Sequence, residues 1–418
     1  MKNLYLIALA AGSILAARHA VAQDFLIRGA TVHTASIRGT LKNTDVLVRG
    51  GIIVAVGAEA GTSNTTVIEA RGKELTPGLF GGLTGIGLDD ITEEPQTLDS
   101  GLNLKSPEWD QQWRPELDVA LAYNPRSFTV PITRIEGVTW TVLAPSAADS
   151  IIGGQGSAVT LDGRYEAVLP GSRSLFVQMG AAGAKAAGGT RAAEYMLLEQ
   201  AIHEARAAGP TTQRALLHAA GREALNRYLS GGRVMFQVDR AADILKVVAF
   251  AKRNGMSPVI LGGDEAWLVA KELARAGVAV ILNPLNDLPA DFDRLGATLE
   301  NAARLHRAGV RIAFSSGGTT QARLVRQLAG NAVAHGVPWE SALAAITSTP
   351  ADIFGLGASH GRIAVGQAAD LVLWSGDPLE VSSLADQVWI AGRPIEMKSR
   401  QTELRDRYVE KVKAHQAR

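Results

Sequence analysis

Two stretches of this chain carry side chains able to do acid–base chemistry from fixed positions. "QVDRAADI" places Gln237 and Asp239 two residues apart, and "LGGDEAW" puts Asp264 and Glu265 directly after an apolar run. In an extended strand, residues two apart share a face, so Gln237 and Asp239 point the same way. Two carboxylates at suitable separation act as general acid and base without a metal if burial drives their pKa values apart. Asp239 with Asp264, or with Asp89 of "GIGLDD", are the candidate pairs. The competing reading makes them loop carboxylates that cap helices or pair with Arg240 or Arg134. Asp264 would then cap the helix that starts "EAWLVAKEL". Asn283, Ser315 and Ser316 end later apolar runs and would join the same polar pocket.

These residues must be positioned by a framework, and the hydrophobic pattern supplies one. Apolar runs at 79–86, 138–144, 157–161, 174–179, 233–238, 258–262, 278–282 and 311–315 read as strands. "TRAAEYMLLEQAIHEARAAG" and "TQRALLHAAGREALNRYLSGG" carry apolar residues at helical spacing and stop at glycine. "EAWLVAKELARAG" and "TLENAARLHRAG" each run through glycine into an apolar strand. That rhythm predicts an α/β fold, a (β/α)8 TIM-like barrel of parallel strands. "GAAGAKAAGGT" reads as a flexible loop. "IIGGQGSAVTLDG" reads as a β-turn element, because no phosphate-binding helix signature follows its glycines.

Both ends of the chain differ from this middle. Residues 23–76 and 361–399 alternate apolar and polar positions around glycine turns, which predicts a small composite β-sandwich enclosing a barrel at 77–360. Residues 400–418 are charged and helical in pattern, with Leu404, Tyr408 and Val412 on one stripe. Residues 1–22 have a basic start, an apolar run and "AVA" before Gln23, the pattern of a signal peptide. An exported, periplasmic protein with no membrane span after its removal is the expectation.

Composition narrows the function classes. Of 418 residues, 46% are hydrophobic and 20% charged, which argues against disorder. The formal charge of +1 becomes −1 without Lys2 and Arg18, so no electrostatic case exists for nucleic acid. With no cysteine, disulfides and thiolate metal sites are excluded.

Three motifs, "GKELTPGL", "ALAAITSTPADIFGL" and "GRIAVGQAADLVLWSGDPL", in this order and around a barrel-sized segment, resemble the amidohydrolase superfamily, in particular its imidazolonepropionase-like and prolidase-like branch. The resemblance implies hydrolysis of carbon–nitrogen bonds by a hydroxide on zinc or another divalent metal at the barrel mouth. It also implies where the metal ligands belong. The His-x-His of the first strand falls on Leu83 and Gly85, and after the fifth strand the first histidine of a His-Ala-His motif falls on Gln237 and the second on Asp239. The sixth-strand histidine falls on Gly262, and the eighth-strand aspartate on Ser316 or Gly317. The resemblance therefore implies a degenerate member, a pseudoenzyme that needs no metal cofactor. It would act as a binding protein for a small molecule, as partner subunit of an intact amidohydrolase homologue, or as a homo-oligomer. The alternative is an active hydrolase of amide, lactam or dipeptide C–N bonds with a relocated or metal-free site. Asp370 of "GQAADLVLW" is expected to fix a turn, not to catalyse.

Overall fold

A computed structural model describes residues 24–57, 65–91, 93–102, 113–147, 150–209 and 215–416. Residues 1–22, read from sequence as a signal peptide, lie outside the described residues. The chain first lays down β1 (Phe25–His33), β2 (Thr40–Arg49), β3 (Ile52–Val56), β4 (Thr66–Glu69) and β5 (Glu74–Pro77). The barrel follows with β6 (Leu79–Thr84), β7 (Val138–Leu143), β8 (Ile152–Gly156), β9 (Ala158–Thr160), β10 (Ser174–Gln178), β11 (Arg233–Val238), β12 (Ser257–Gly262), β13 (Ala279–Leu282) and β14 (Ile312–Phe314). The chain then returns as β15 (Leu371–Trp374), β16 (Ala385–Ile390) and β17 (Arg393–Pro394). The helices are α1 (Thr129–Arg134), α2 (Gly180–Ala186), α3 (Arg191–Arg206), α4 (Ala219–Tyr228), α5 (Ala241–Arg253), α6 (Ala270–Ala276), α7 (Asn301–Arg307), α8 (Val325–Ala334), α9 (Trp339–Ala344), α10 (Ser348–Ile353) and α11 (Arg400–Gln416). None of the described helices is long and apolar enough to cross a membrane.

The two chain ends meet in one hydrogen-bonded order, β17-β16-β15-β5-β1-β2-β3, with β4 also on β1. This is the β-sandwich, and its apolar face packs Phe25, Ile27, Val46, Leu75, Leu371 and Trp389. Trp374, fully buried, donates from Nε1 to Thr76 Oγ1 at 2.9 Å, tying strand β15 to β5 just before the chain enters the barrel. Asp370 Oδ1 accepts from the backbone N–H of Ala391 at 2.7 Å, and its own carbonyl accepts from Gly78 N–H. Its role is structural.

Alternation along the barrel strands sets two cores. Leu175, Val177, Val234, Phe236, Ile260 and Val280 face outward to the helices. Phe80, Trp140, Phe176, Met235, Val259 and Ala313 fill the interior. Full burial of such side chains is worth about 1.5–3 kcal/mol each, so the barrel is a packed core closed below its mouth.

The third stave departs from the parallel pattern. β8 pairs antiparallel with β10, and β9, one residue later, pairs antiparallel with β7. Only residues 144–151 separate β7 from β8. A parallel return needs a crossover of a dozen or more residues, so the short connection forces the strand to run back. The segment expected to be a β-turn element is thus a bent strand. Likewise "GAAGAKAAGGT" is not a loop: its first seven residues form α2, where alanine propensity and packing on α3 prevail over the glycines. The helix read in "TQRALLHAAGREALNRYLSGG", α4, begins at Ala219, later than its pattern suggested. His218 is extended there, with Nε2 2.8 Å from Glu116 Oε1.

A candidate active site at the barrel mouth

The C-terminal ends of β6 and β10–β14 enclose a cavity of about 470 Å³. Its floor is apolar, formed by Leu83, Phe176, Leu261 and Ile281, and its rim carries Gln237, Asn283, Ser315 and Ser316. The period of two carries Gln237 and then Asp239 to the cavity. It fails on the first stave, where β6 ends at Thr84 and the chain turns. Asp89 still reaches the cavity through that turn, held by the N–H groups of Asp99 and Ser100, each 3.1 Å from its Oδ1. Gly87 does not line the cavity; a Cβ there would meet the Tyr123 ring at 2.6 Å.

Asp239 and Asp264 do come together, but neither pairs with Arg240 or Arg134. Both share the guanidinium of Arg294, whose Nε lies 3.2 Å from Asp239 Oδ2, 3.6 Å from Asp264 Oδ2 and 3.4 Å from Asp291 Oδ2. Asp264 does not cap a helix. It accepts from Asn286 Nδ2 at 2.9 and 3.1 Å, and its N–H donates to Asp239 Oδ1 at 3.4 Å. Burial, reinforced by the Asp264 charge, pushes the Asp239 carboxyl up to about 6 against the opposing pull of Arg294. Burial also raises Asp264, opposed by Asn286 and Arg294. Glu265 is structural: it accepts from Ala241 N–H and Gly296 N–H, both at 3.0 Å.

Arg294 and Asn286 were missed from sequence. They sit between β13 and α7 on a connection without helical or strand period, so no spacing pointed to them. That connection is fastened across the mouth at several points. Asp293 accepts from Ala181 N–H at 2.7 Å and pairs with Arg191, which also donates to Asp243 at 3.0 Å. Gly296 O accepts from Trp267 Nε1 at 2.8 Å. Behind it Glu194 is buried beside Asp243, and burial, with that neighbouring charge, pushes it up to about 7. Glu194 does not line the cavity.

The family ligand positions are filled rather than merely vacated. Gly262 adopts φ +79°, and a Cβ on it would lie 2.3 Å from Asp239 Oδ1. A Cβ on Gly85 would lie 2.4 Å from Asp89 Oδ2. Leu83 is part of the apolar floor, while Ser316 lines the rim and Ser315 Oγ accepts from Leu83 N–H at 2.9 Å. Among the described residues no histidine lines the cavity. His33, for example, is bound to Thr40 and Glu74 in the β-sandwich, and His360 to Ser359 at its edge. Among the described residues no three His, Cys, Asp or Glu side chains converge as ligands. A zinc site needs three or four donors converging on one point, and here the Arg294 guanidinium already lies among the carboxylates. The residues present do not fit such an ion.

Known proteins share this framework. A family model described as "Amidohydrolase family" matches residues 130–400. The imidazolonepropionase of Chromobacterium violaceum is 26% identical over 400 residues, covering 85% of this chain and 90% of its own length. Amidohydrolase tasK of Hapsidospora irregularis is 47% identical over 58 residues, but those are 14% of this chain and 6% of that protein. The crystal structure of an amidohydrolase from Thermotoga maritima superposes with a TM-score of 0.77 at 24% identity, covering 90% of this chain and all of that one. That likeness is one of fold.

Proposed function

The chain belongs to the amidohydrolase family, and from that premise we propose that it is a member without metal-dependent catalysis whose barrel mouth serves binding. The observation that carries this reading is the glycine–carboxylate exchange. At Gly262 and Gly85 the space an imidazole would enter is taken by Asp239 and Asp89, and Arg294 supplies the positive charge a metal ion would bring. The cavity's size and its apolar floor beneath a polar rim suit a small molecule.

A partner-subunit or homo-oligomer role goes with this reading. Leu288, Phe292 and Leu295, on the connection across the mouth, are 76%, 87% and 63% exposed. Leu404, Tyr408 and Val412 are exposed along α11. Export to the periplasm follows from the leader-like residues 1–22.

One observation favours a second reading. Asp239 lines the cavity, and burial with the neighbouring Asp264 charge pushes its carboxyl up to about 6, which suits a general base acting on a C–N bond without metal. A panel of amides, lactams and dipeptides separates the two. The binding reading expects no turnover by the wild-type chain. Turnover that persists with chelator and vanishes in Asp239→Asn would establish the metal-free hydrolase instead.

A further inference from the structure

The opposite end of the barrel holds a cleft of about 620 Å³, larger than the mouth. It opens at the N-terminal ends of consecutive strands. Arg233 begins β11, Ser257 begins β12 and Ala279 begins β13, while Arg173 and Arg311 immediately precede β10 and β14. Lys252 reaches it from the end of α5.

Its charge is unbalanced. Arg173 is paired with Asp118 at 2.8 Å. The one carboxylate on the wall, Asp352, is held by both guanidinium ends of Arg362, at 2.9 and 2.5 Å. Among the described residues, Arg233, Lys252 and Arg311 meet no carboxylate. Lys252 Nζ donates to Ala276 O at 3.1 Å and Arg311 Nη2 to Gly277 O at 3.2 Å, so both are fixed on the C-terminal end of α6. Arg233 donates through Nη1 to Ser172 O at 3.1 Å and lies over the Phe354 ring. Each keeps further N–H donors for another acceptor.

Three cations around one cleft repel one another; Lys252 and Arg311 also favour the carbonyls that end α6, a contact that leaves their remaining donors for a ligand. The chain's overall charge is only +1, so the cluster is not a by-product of a basic protein. We propose that this cleft binds a small multivalent oxyanion, with its charge on phosphate or carboxylate groups. Planar guanidinium groups donate to such oxygens in pairs, and Lys252 adds a mobile point charge. The site is remote from the mouth, so the proposal stands whether or not the mouth is catalytic.

Calorimetric titration of the full chain with pyrophosphate, and separately with citrate, tests it. Saturable binding at one site is expected, weakening as sodium chloride rises. Lys252→Gln with Arg311→Gln changes two exposed side chains and should weaken binding by about tenfold or more. Arg253→Gln, an exposed cation outside the cleft that pairs with Glu199, should leave binding unchanged. Tighter binding of pyrophosphate assigns the site to phosphates, and tighter binding of citrate assigns it to carboxylates. Absence of saturable binding by either anion, or equal binding by the double variant, overturns the proposal.

Discussion

The junction between barrel and β-sandwich and the mouth of the same barrel treat family positions in opposite ways. At the junction, Thr76, Asp370 and Trp374 sit within the motifs that carry the family resemblance, and each makes a buried contact on which the architecture depends. At the mouth, Leu83, Gly85, Gln237 and Gly262 stand where the family resemblance expects ligands, and carboxylates occupy the space beside Gly85 and Gly262. Scaffold residues answer to packing and hydrogen bonding, whereas metal ligands answer only to chemistry. A barrel can therefore lose its donors without losing its shape.

Three substitutions sharpen this contrast. Trp374→Ala removes a fully buried ring that also lies under Arg326, 4.6 Å from its guanidinium. It should cost about 3–5 kcal/mol in denaturant unfolding, the largest effect expected here. A loss under 1 kcal/mol would show that the junction is not what holds the domains.

Arg294→Ala tests the mouth. It leaves Asp239, Asp264 and Asp291 without their shared cation, at a cost of about 1–3 kcal/mol, below the figure for a fully buried pair because 31% of the side chain is exposed. The pH dependence has a definite sign. Asp239 is raised in the folded state, so its contribution to stability falls as pH rises from 3.8 through about 6. Without Arg294 the carboxyls rise further. The variant's loss should be greatest at neutral pH and shrink on acidification, and a loss that is flat with pH would rule out the guanidinium as the charge balance.

Gly262→Ala is the smallest of the three, at about 1 kcal/mol for the left-handed backbone. Its added methyl must also displace Asp239, so the titration of that carboxyl followed by NMR should move. An unmoved titration would mean that the space is open after all.

Much of this was legible beforehand. The strand runs at 233–238 and 258–262 and the inward pair Gln237 and Asp239 follow from the period of two. The antiparallel third stave was also within reach, because only residues 144–151 follow β7, but glycine-rich "IIGGQG" masks strand character. Arg294 was not legible. It acts across a connection whose conformation is set by contacts with α2, α3 and residues 264–267 after β12, and no local pattern records such contacts.

The proposed binding role requires a barrel mouth that holds no divalent cation. Elemental analysis of protein purified from its own host, repeated after equilibration with zinc and manganese and removal of free ions, tests that directly. Only trace metal per chain is expected in both preparations. Close to one tightly held ion per chain, lost on replacing Asp239 and Asp89 with Asn, would contradict it.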